Sequence, residues 1–221
     1  MEQPTQTRPR LAQRRRNLTR DALLEAGMRL FARREVDAVS IDDIVNEAGV
    51  AKGSFYNHFR DKEAFARDIG AEVRRQVEAV IARFTDGVED PALHTALALC
   101  VFADFATRSR ERARVLYKLN DGSTMQDAPI NQTLREVMQQ GVDGGRFRGV
   151  DVECALLLVM GLNVITVRHV IEERLATPPA QVAEGMASAL LRGLGLAPAQ
   201  AARIAALACR SVFGERAGTG R

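Results

Sequence analysis

The chain has 221 residues, enough for one large domain or for a small domain joined to a larger one, and 46% of them are hydrophobic. Cys100, Cys154 and Cys209 lie far apart without CxxC spacing, which excludes a disulfide framework and suits reduced thiols in a cytoplasm. The longest uncharged run, 154–167, is too short to span a bilayer, and the Arg-rich start is no signal peptide, so we expect no membrane association.

The positive charge of the chain is concentrated at its beginning. The net charge is +3, and residues 1–62 carry 12 basic and 9 acidic side chains, so the whole excess lies within them. A basic arm beside a small helical unit is suited to a polyanion, although a solvated, disordered tail has the same composition. The arginines that crowd the start are Arg8, Arg10, Arg14, Arg15 and Arg16.

Hydrophobic periodicity predicts three short helices after this arm. Thr19 is a plausible N-cap for the first helix. Ser40 and Asp43 have the spacing of a capping box, which predicts the start of a second helix. Gly49 suits the left-handed residue that ends it, and a third helix is expected at about 51–59.

The rest of the chain also has helical patterns, and strand patterns are scarce, so the predicted fold class is all-α. Further helices are expected at about 63–84, 90–107, 109–120, 130–143, 151–175 and 180–194, with a last helix to about 213. The predicted organisation is a basic, partly disordered arm over 1–16, a three-helix domain over 17–62, a larger helical domain over 63–213 and a flexible tail over 214–221.

The segment from Gly49 to Phe59 has the strongest functional signal. A helix-ending glycine is followed by a short helix that is too polar for a core and too hydrophobic for a linker, which is typical of a helix-turn-helix that binds DNA. Its polar side chains are donors suited to phosphates and base edges, and Gly53 lets the backbone approach DNA closely. Packing is the alternative role for Tyr56, and a plain surface position is the alternative for His58.

Residues 19–65 resemble the N-terminal DNA-binding domain of the TetR family of bacterial transcriptional regulators. This span is about a fifth of the chain, and the matching residues within it are 26–31, 40–44, 48–59 and 61–63. The remainder is similar to the family only in length and helical layout.

The resemblance implies a role for each matching residue of this DNA-binding domain. Thr19 and Ser40 would contact phosphates at helix N-termini. Lys52, Gly53, Ser54 and Asn57 would face the major groove, while Tyr56, His58 and Lys62 would hold the DNA backbone. Ala51 departs from the family, which often has Ser or Thr there, and a missing cap costs about 1 kcal/mol.

The larger domain offers candidates for a ligand pocket but no motif. An apolar cavity with a few polar groups suits a small apolar or amphipathic molecule, and Asn163 and His169 are polar residues in an apolar helix. A plain core position is the alternative for each candidate. The candidates are Phe102, Phe105, Tyr117, Met138, Met160, Asn163 and His169.

The helices at 151–175 and 180–194 are too apolar to be one-sided surface helices. The family resemblance implies that two such helices from each chain form a homodimer, and burial inside a monomer is the alternative.

The predicted function is that of a homodimeric repressor that a small molecule releases from a palindromic double-stranded operator. The helix at 63–84 would transmit the effect of the ligand, and the protein would be cytoplasmic and associated with the nucleoid. Control by a protein partner or constitutive binding is one alternative, and a helical enzyme or carrier is another. The three histidines lack metal-ligand spacing and no catalytic motif occurs, so we expect no catalytic residue, metal or cofactor.

Overall fold

The computed structural model describes residues 7–119, 132–172 and 176–214, with side chains from residue 13 onwards. These ranges contain ten α-helices, one 3-10 turn at Val36–Ala38 and no strand, which confirms the predicted all-α class. The helices are α1 (Thr7–Arg33), α2 (Ile41–Ala48), α3 (Lys52–Tyr56), α4 (Lys62–Thr85), α5 (Pro91–Arg108), α6 (Arg110–Lys118), α7 (Gln132–Asp143), α8 (Val152–Ile171), α9 (Pro179–Gly193) and α10 (Pro198–Gly214).

Local capping explains why several predicted helix boundaries lie close to the observed ones. The Asp90 side chain accepts a hydrogen bond from the Ala92 N–H at 2.9 Å, and Pro91 occupies the first position of α5. The Asp151 side chain accepts from the Cys154 N–H at 2.7 Å and caps α8 in the same way. Short-range sequence rules therefore set these helix starts.

The chain divides into two compact units, Met1–Glu72 and Val73–Arg221. The division falls inside α4, whereas the predicted boundary lies between residues 62 and 63, at the first residue of that helix. The first turns of α4 contribute Phe65 and Ile69, both fully buried, to the first unit. The first unit is therefore larger than the three-helix domain predicted from the sequence.

The beginning of the chain departs from its prediction. α1 runs without a break from Thr7 to Arg33, whereas the sequence predicts a partly disordered arm over 1–16. Residues 1–6 and the tail at 215–221 lie outside the described residues. Arginine has a high helix propensity, which favours a helix through the basic segment.

The second unit is built around α5. This helix packs against α8, α9 and α10, and it also contacts α6 and α7. It accordingly buries residues on most of its circumference, among them Ala96, Leu99 and Cys100, each without exposed surface. A helix that is apolar nearly all round belongs at the centre of a helical domain.

α8 is apolar, but the other described residues do not enclose it. Within the described residues it is the one helix long and apolar enough to cross a membrane by length and composition, a test that core helices of soluble proteins also pass. Leu157 is 51% exposed and Ile165 is 38% exposed on its outer face. The prediction that this helix needs a covering partner therefore keeps its physical basis.

Candidate nucleic-acid interface

A reciprocal cap fixes the start of α2. The Asp43 N–H donates to the Ser40 hydroxyl at 3.1 Å, while the Ser40 N–H donates to the Asp43 carboxylate at 2.9 Å. This confirms the predicted capping box. Hydrogen bonds from the backbone and hydroxyl of Ser40, followed by the nearby Arg34, lower the pKa of Asp43, so the carboxylate stays charged at neutral pH.

A tight left-handed turn joins α2 to α3. Gly49 has φ of +67° and ψ of +34°, which confirms the predicted helix-ending glycine. The Val50 N–H donates to the Val45 carbonyl at 3.0 Å and closes the turn. Ala51 then precedes α3 and forms no side-chain hydrogen bond to it. The N-terminus of α3 therefore lacks a side-chain cap, as expected from the sequence.

One face of α3 is held by a cluster of phenylalanines. Phe55 is fully buried, and its ring centroid lies 5.2 Å from that of Phe65 and 5.4 Å from that of Phe59. Phe31 of α1 joins the cluster, with its ring centroid 6.0 Å from that of Phe65. Aromatic rings at these distances pack favourably, so a helix of only five residues has a fixed position.

The other face of α3 presents polar groups to solvent. Lys52, Gly53 and Asn57 are exposed, and Tyr56 is 54% exposed. Ser54 and His58 are partly buried at its edges. The structure therefore places the six candidates from 52–58 together on and around one short helix, on the side away from the aromatic core.

Lys52 is paired in the absence of DNA. Its ammonium lies 2.8 Å from the Asp42 carboxylate on α2, and this hydrogen bond raises the pKa of Lys52. Both side chains are exposed, so solvent screens the pair and a phosphate or base edge can replace the carboxylate. The charge needed for DNA is thus permanently present on this helix.

His58 lies in a partly buried position with a positive environment. Burial, and after it the charges of Arg16 and Arg20, lower its pKa below the usual 6.5. The imidazole is therefore neutral at pH 7. Arg16 and Arg20 act on His58 through their charge, although both lie about forty residues earlier in the chain, so sequence spacing did not indicate this effect.

Lys62 has a structural position that the sequence did not indicate. Its ammonium donates to the carbonyls of Val36, Asp37 and Val39 at 3.1, 3.3 and 3.1 Å, and so holds the 3-10 turn between α1 and α2. These three bonds use all three ammonium donors. In the DNA-free structure the Lys62 ammonium therefore has an internal role, and its contact with the DNA backbone stays a prediction.

Thr19 is also placed differently from its prediction. It lies inside α1 and its hydroxyl donates to the Arg15 carbonyl at 3.1 Å, so it is not an N-cap and has no helix N-terminus beside it. Ser40 does lie at a helix N-terminus, but its hydroxyl already serves the capping box. Of the two residues expected at helix starts, the structure keeps only Ser40 there.

The candidates for a ligand pocket fall into separate groups in the second unit. Phe102 and Phe105 pack against a buried cluster that joins α5, α6 and α8. Tyr117 is exposed and lies under the Arg168 guanidinium, 5.9 Å from its ring centroid, while Met138 on α7 is fully buried. Met160 and His169 are half-buried, and the His169 Nδ1 is 3.0 Å from the Ile165 carbonyl.

Asn163 is the chemically most informative of these residues. Its Oδ1 is buried and forms no hydrogen bond with any described residue. Thr166, one turn further along α8, donates to the Leu162 carbonyl at 2.6 Å and is satisfied. A buried acceptor without a donor is costly, so Asn163 is suited to receive a donor from a bound molecule. No group of metal-ligating side chains occurs among the described residues.

Comparison with known proteins agrees with this arrangement. Residues 23–69 match the family described as bacterial regulatory proteins, tetR family. The HTH-type transcriptional repressor KstR2 of Mycobacterium tuberculosis is 27% identical over 165 residues, which cover 69% of this chain and 81% of that protein.

Solved structures show the same fold over most of the chain. The crystal structure of RolR in complex with resorcinol has a TM-score of 0.60 at 24% identity, covering 87% of this chain and 95% of that chain. A putative tetR family transcription regulator from Shewanella sp. PV-4 has a TM-score of 0.69 at 18% identity, covering 81% of this chain and 99% of that chain.

The helical fold and the exposed face of α3 define a DNA-binding transcriptional regulator of the helix-turn-helix class. Residues 23–69 match the DNA-binding domain of the tetR family, and the relatives that match over most of the chain are transcriptional regulators rather than enzymes. Regulators of this family are dimeric, bind DNA and small-molecule ligands, and work in the cytoplasm.

Proposed function

We propose that this protein is a homodimeric repressor that binds a palindromic operator and is released by a small apolar or amphipathic molecule. The observation on which the proposal chiefly rests is the exposed polar face of α3, fixed from behind by buried Phe55. In a dimer, two such helices enter successive major grooves about 34 Å apart. Operator binding keeps the protein on the nucleoid.

The DNA contacts follow from the exposed side chains. Lys52 and Asn57 reach base edges or phosphates in the major groove, with Ser54 at the edge of the same face. Gly53 has no atom within 4 Å of the position where a Cβ would stand, so a DNA backbone can approach it closely. Tyr56 and His58 contact the DNA backbone.

Ser40 has a defined route to a phosphate. The N-terminus of α2 carries the positive end of the helix dipole, and the Ser40 hydroxyl stands on it. Thr19 and Lys62 reach the DNA only if they give up the internal bonds described above. We therefore expect substitutions of Thr19 and Lys62 to reduce the affinity for DNA less than substitutions in α3.

The regulatory sense of the protein is repression. KstR2, a relative that matches over 69% of the chain, is a transcriptional repressor. A repressor blocks its promoter by occupancy, so affinity for the operator alone sets the output.

The dimer is formed through α8 and α9. The exposed face of α8 is apolar at Leu157 and Ile165, and Gly161 on the same face has nothing within 4 Å of a hypothetical Cβ. On α9 the exposed positions include Gly185 and Ala189, which allow close approach of a second helix. Pairing these faces between two copies removes the exposed apolar stripe from water.

The effector binds within the second unit, beside α8. Phe102 and Phe105 supply apolar surface, and the buried Oδ1 of Asn163 supplies an acceptor that lacks a donor. A molecule with an apolar body and one hydroxyl or amine donor satisfies both conditions. It acts as an inducer because it favours a conformer in which the two α3 helices no longer match successive grooves. α4, which continues through the division between the units, is the element that transmits this change.

Footprinting on DNA around the gene of this protein tests operator binding. We expect one protected inverted repeat. The double variant Lys52→Ala/Tyr56→Ala removes two exposed contacts from α3, so its affinity for that repeat should fall by about a hundredfold or more while the circular dichroism spectrum stays unchanged. An unchanged band shift for a correctly folded double variant contradicts the assignment of α3 as the DNA-binding helix.

A thermal-shift screen followed by Asn163→Leu tests the effector site. A compound that binds raises the melting temperature by mass action, and the same compound should weaken operator binding. Asn163→Leu should abolish that shift without lowering the melting temperature of the free protein, because it removes an unsatisfied buried acceptor. Full induction of Asn163→Leu, or a regulator that responds only to a protein partner, would overturn the proposed site.

A further inference from the structure

The first turns of α1 build a helix that the core does not use. Residues 13–18 are all exposed, and the first buried side chain along the described part of α1 is Leu23. At 1.5 Å per residue, the part of α1 before Thr19 extends the helix by about 18 Å. Since helices in proteins are stabilised mainly by burying an apolar face, residues 13–18 gain little from packing. Their side chains are available for another purpose.

This extension lies beside the end of α3. The Arg16 guanidinium donates to the carbonyl of Asn57 at 3.3 Å, and Asn57 is the residue that follows α3. One turn later, the Arg20 guanidinium lies 5.6 Å from the centroid of the Phe59 ring and 2.8 Å from the Asp68 carboxylate. Two successive turns of α1 therefore fix the basic segment next to the helix that contacts DNA.

No described acidic residue pairs with Arg14 or Arg15 of this segment. Arg20, Arg29 and Arg34 each form an ion pair, with Asp68, Glu47 and Asp43 respectively. By contrast, Arg14 and Arg15 form no ion pair with any described residue, and no acidic residue lies three or four positions from either of them. A cluster of exposed, unpaired arginines is the chemistry that binds phosphate oxygens.

We infer that Arg14, Arg15 and Arg16 on the extended α1 bind DNA phosphates flanking the bases that α3 contacts. The inference rests on the DNA-binding function proposed above and adds a second, sequence-independent contact to it. Phosphate contacts position a protein on the duplex and do not discriminate between sequences. This part of α1 therefore adds affinity for all DNA and leaves the choice of operator to α3.

The test uses Arg14→Gln/Arg15→Gln in the full chain, because Arg16 also bonds to Asn57. The matched control is Arg203→Gln/Arg210→Gln, which removes two exposed arginines from α10 in the second unit. Fluorescence anisotropy with a labelled random-sequence duplex, over a series of KCl concentrations, gives the slope of log affinity against log salt. Each lost phosphate contact lowers this slope by about 0.9, so we expect a decrease of about 1.8 for the first variant and none for the control.

A charge-retaining variant separates phosphate binding from an effect on the helix. Arg14→Lys/Arg15→Lys should keep the wild-type slope, because lysine is also a phosphate-binding cation. An unchanged slope in Arg14→Gln/Arg15→Gln, an equal loss in the α10 control, or a loss of slope in the lysine variant would overturn the inference.

The random-sequence duplex also keeps this inference distinct from operator binding. If the wild-type protein protects no inverted repeat, the proposed function fails, whatever the slopes are. If it protects the repeat and Arg14→Gln/Arg15→Gln binds both duplexes like the wild type, only the inference about α1 fails. Lys52→Ala/Tyr56→Ala should lose preference for the operator and still show the contribution of Arg14 and Arg15 to the salt slope.

Discussion

The two units of this protein place their functional residues by different means. In the first unit, neighbours in sequence set the site: Ser40 and Asp43 cap α2, Gly49 turns the chain, and α3 follows at once. In the second unit, the candidate effector residues come from α5, α6, α7 and α8, and only tertiary packing decides which of them meet. A DNA-binding surface built from adjacent residues leaves a pattern in the sequence, whereas a pocket assembled from distant helices does not.

The largest expected effect contrasts a buried methionine of the second unit with an exposed tyrosine of the first. Met138→Ala removes a fully buried side chain of α7 and should lower the free energy of unfolding by about 2–5 kcal/mol. Tyr56→Ala should change it by less than about 0.5 kcal/mol, because its side chain is largely exposed. Urea unfolding followed by circular dichroism measures both, and equal losses would show that Tyr56 is a packing residue.

A pair of glycines separates packing from DNA approach within the first unit. A Cβ on Gly27 would stand 2.4 Å from the Phe65 ring and 2.6 Å from Ile69, whereas one on Gly53 would meet nothing within 4 Å. Both residues are helical, so the difference between Gly27→Ala and Gly53→Ala isolates the packing cost, which we expect to be about 1–3 kcal/mol.

The DNA affinity of the same pair should show the opposite order. Gly53→Ala should weaken operator binding by about tenfold, since its new methyl group stands where the DNA backbone approaches. Folded Gly27→Ala should bind normally. Normal binding by Gly53→Ala would mean that the DNA does not approach α3 at this residue.

Two lysines test whether a structural and a DNA-contacting role can be told apart in the first unit. Lys62→Met leaves three carbonyls without their ammonium donor and should cost about 1–2 kcal/mol of stability. Lys52→Met loses only an exposed ion pair and should leave the melting temperature unchanged while weakening operator binding. Stable Lys62→Met with impaired DNA binding would restore the contact predicted from the sequence.

The smallest expected effect is the pH dependence of DNA binding. The pKa of His58 in the free protein lies below 6.5, so the imidazole is neutral at pH 7. Because the unfolded chain takes up this proton first, the free energy of unfolding decreases as the pH falls from 6.5 to the lowered pKa. A neighbouring DNA phosphate raises that pKa, so binding takes up a proton and affinity should rise a few-fold as pH falls from about 6.5. Anisotropy at several pH values measures this rise.

His94 provides the control from the other unit. Burial lowers its pKa as well, but it lies on α5 rather than near α3. His58→Gln should remove the rise in affinity, and His94→Gln should retain it. A rise that survives in His58→Gln would show that His58 does not lie beside a phosphate.

Sequence reasoning succeeded where one residue determines a local conformation and failed where a distant contact decides. The capping box, the left-handed Gly49 and the start of α5 at Pro91 are local features, and all were predictable. The position of Thr19 inside α1 and the internal bonds of Lys62 were not predictable, for the opposite reason. Continuation of α1 through the arginines places Thr19 inside a helix, and carbonyls at 36–39 capture the Lys62 ammonium from across the unit.

The effector site shows the same limit more strongly. Composition indicated that Asn163 is unusual on an apolar helix, and the structure confirms that its Oδ1 is buried without a hydrogen bond. No spacing rule connects Asn163 to Phe102 and Phe105, which lie about sixty residues earlier in the chain and on another helix. The ligand class proposed above combines these residues, and only the fold can bring them together.

The uncovered face of α8 ties the lifetime of this regulator to its copy number. In the proposed dimer, the second copy covers Leu157 and Ile165, which a single chain exposes. Because dimerisation depends on concentration, we expect more single chains, and their faster degradation, at low copy number. We then expect the protein to persist longest in cells that already contain enough of it to occupy the proposed operators.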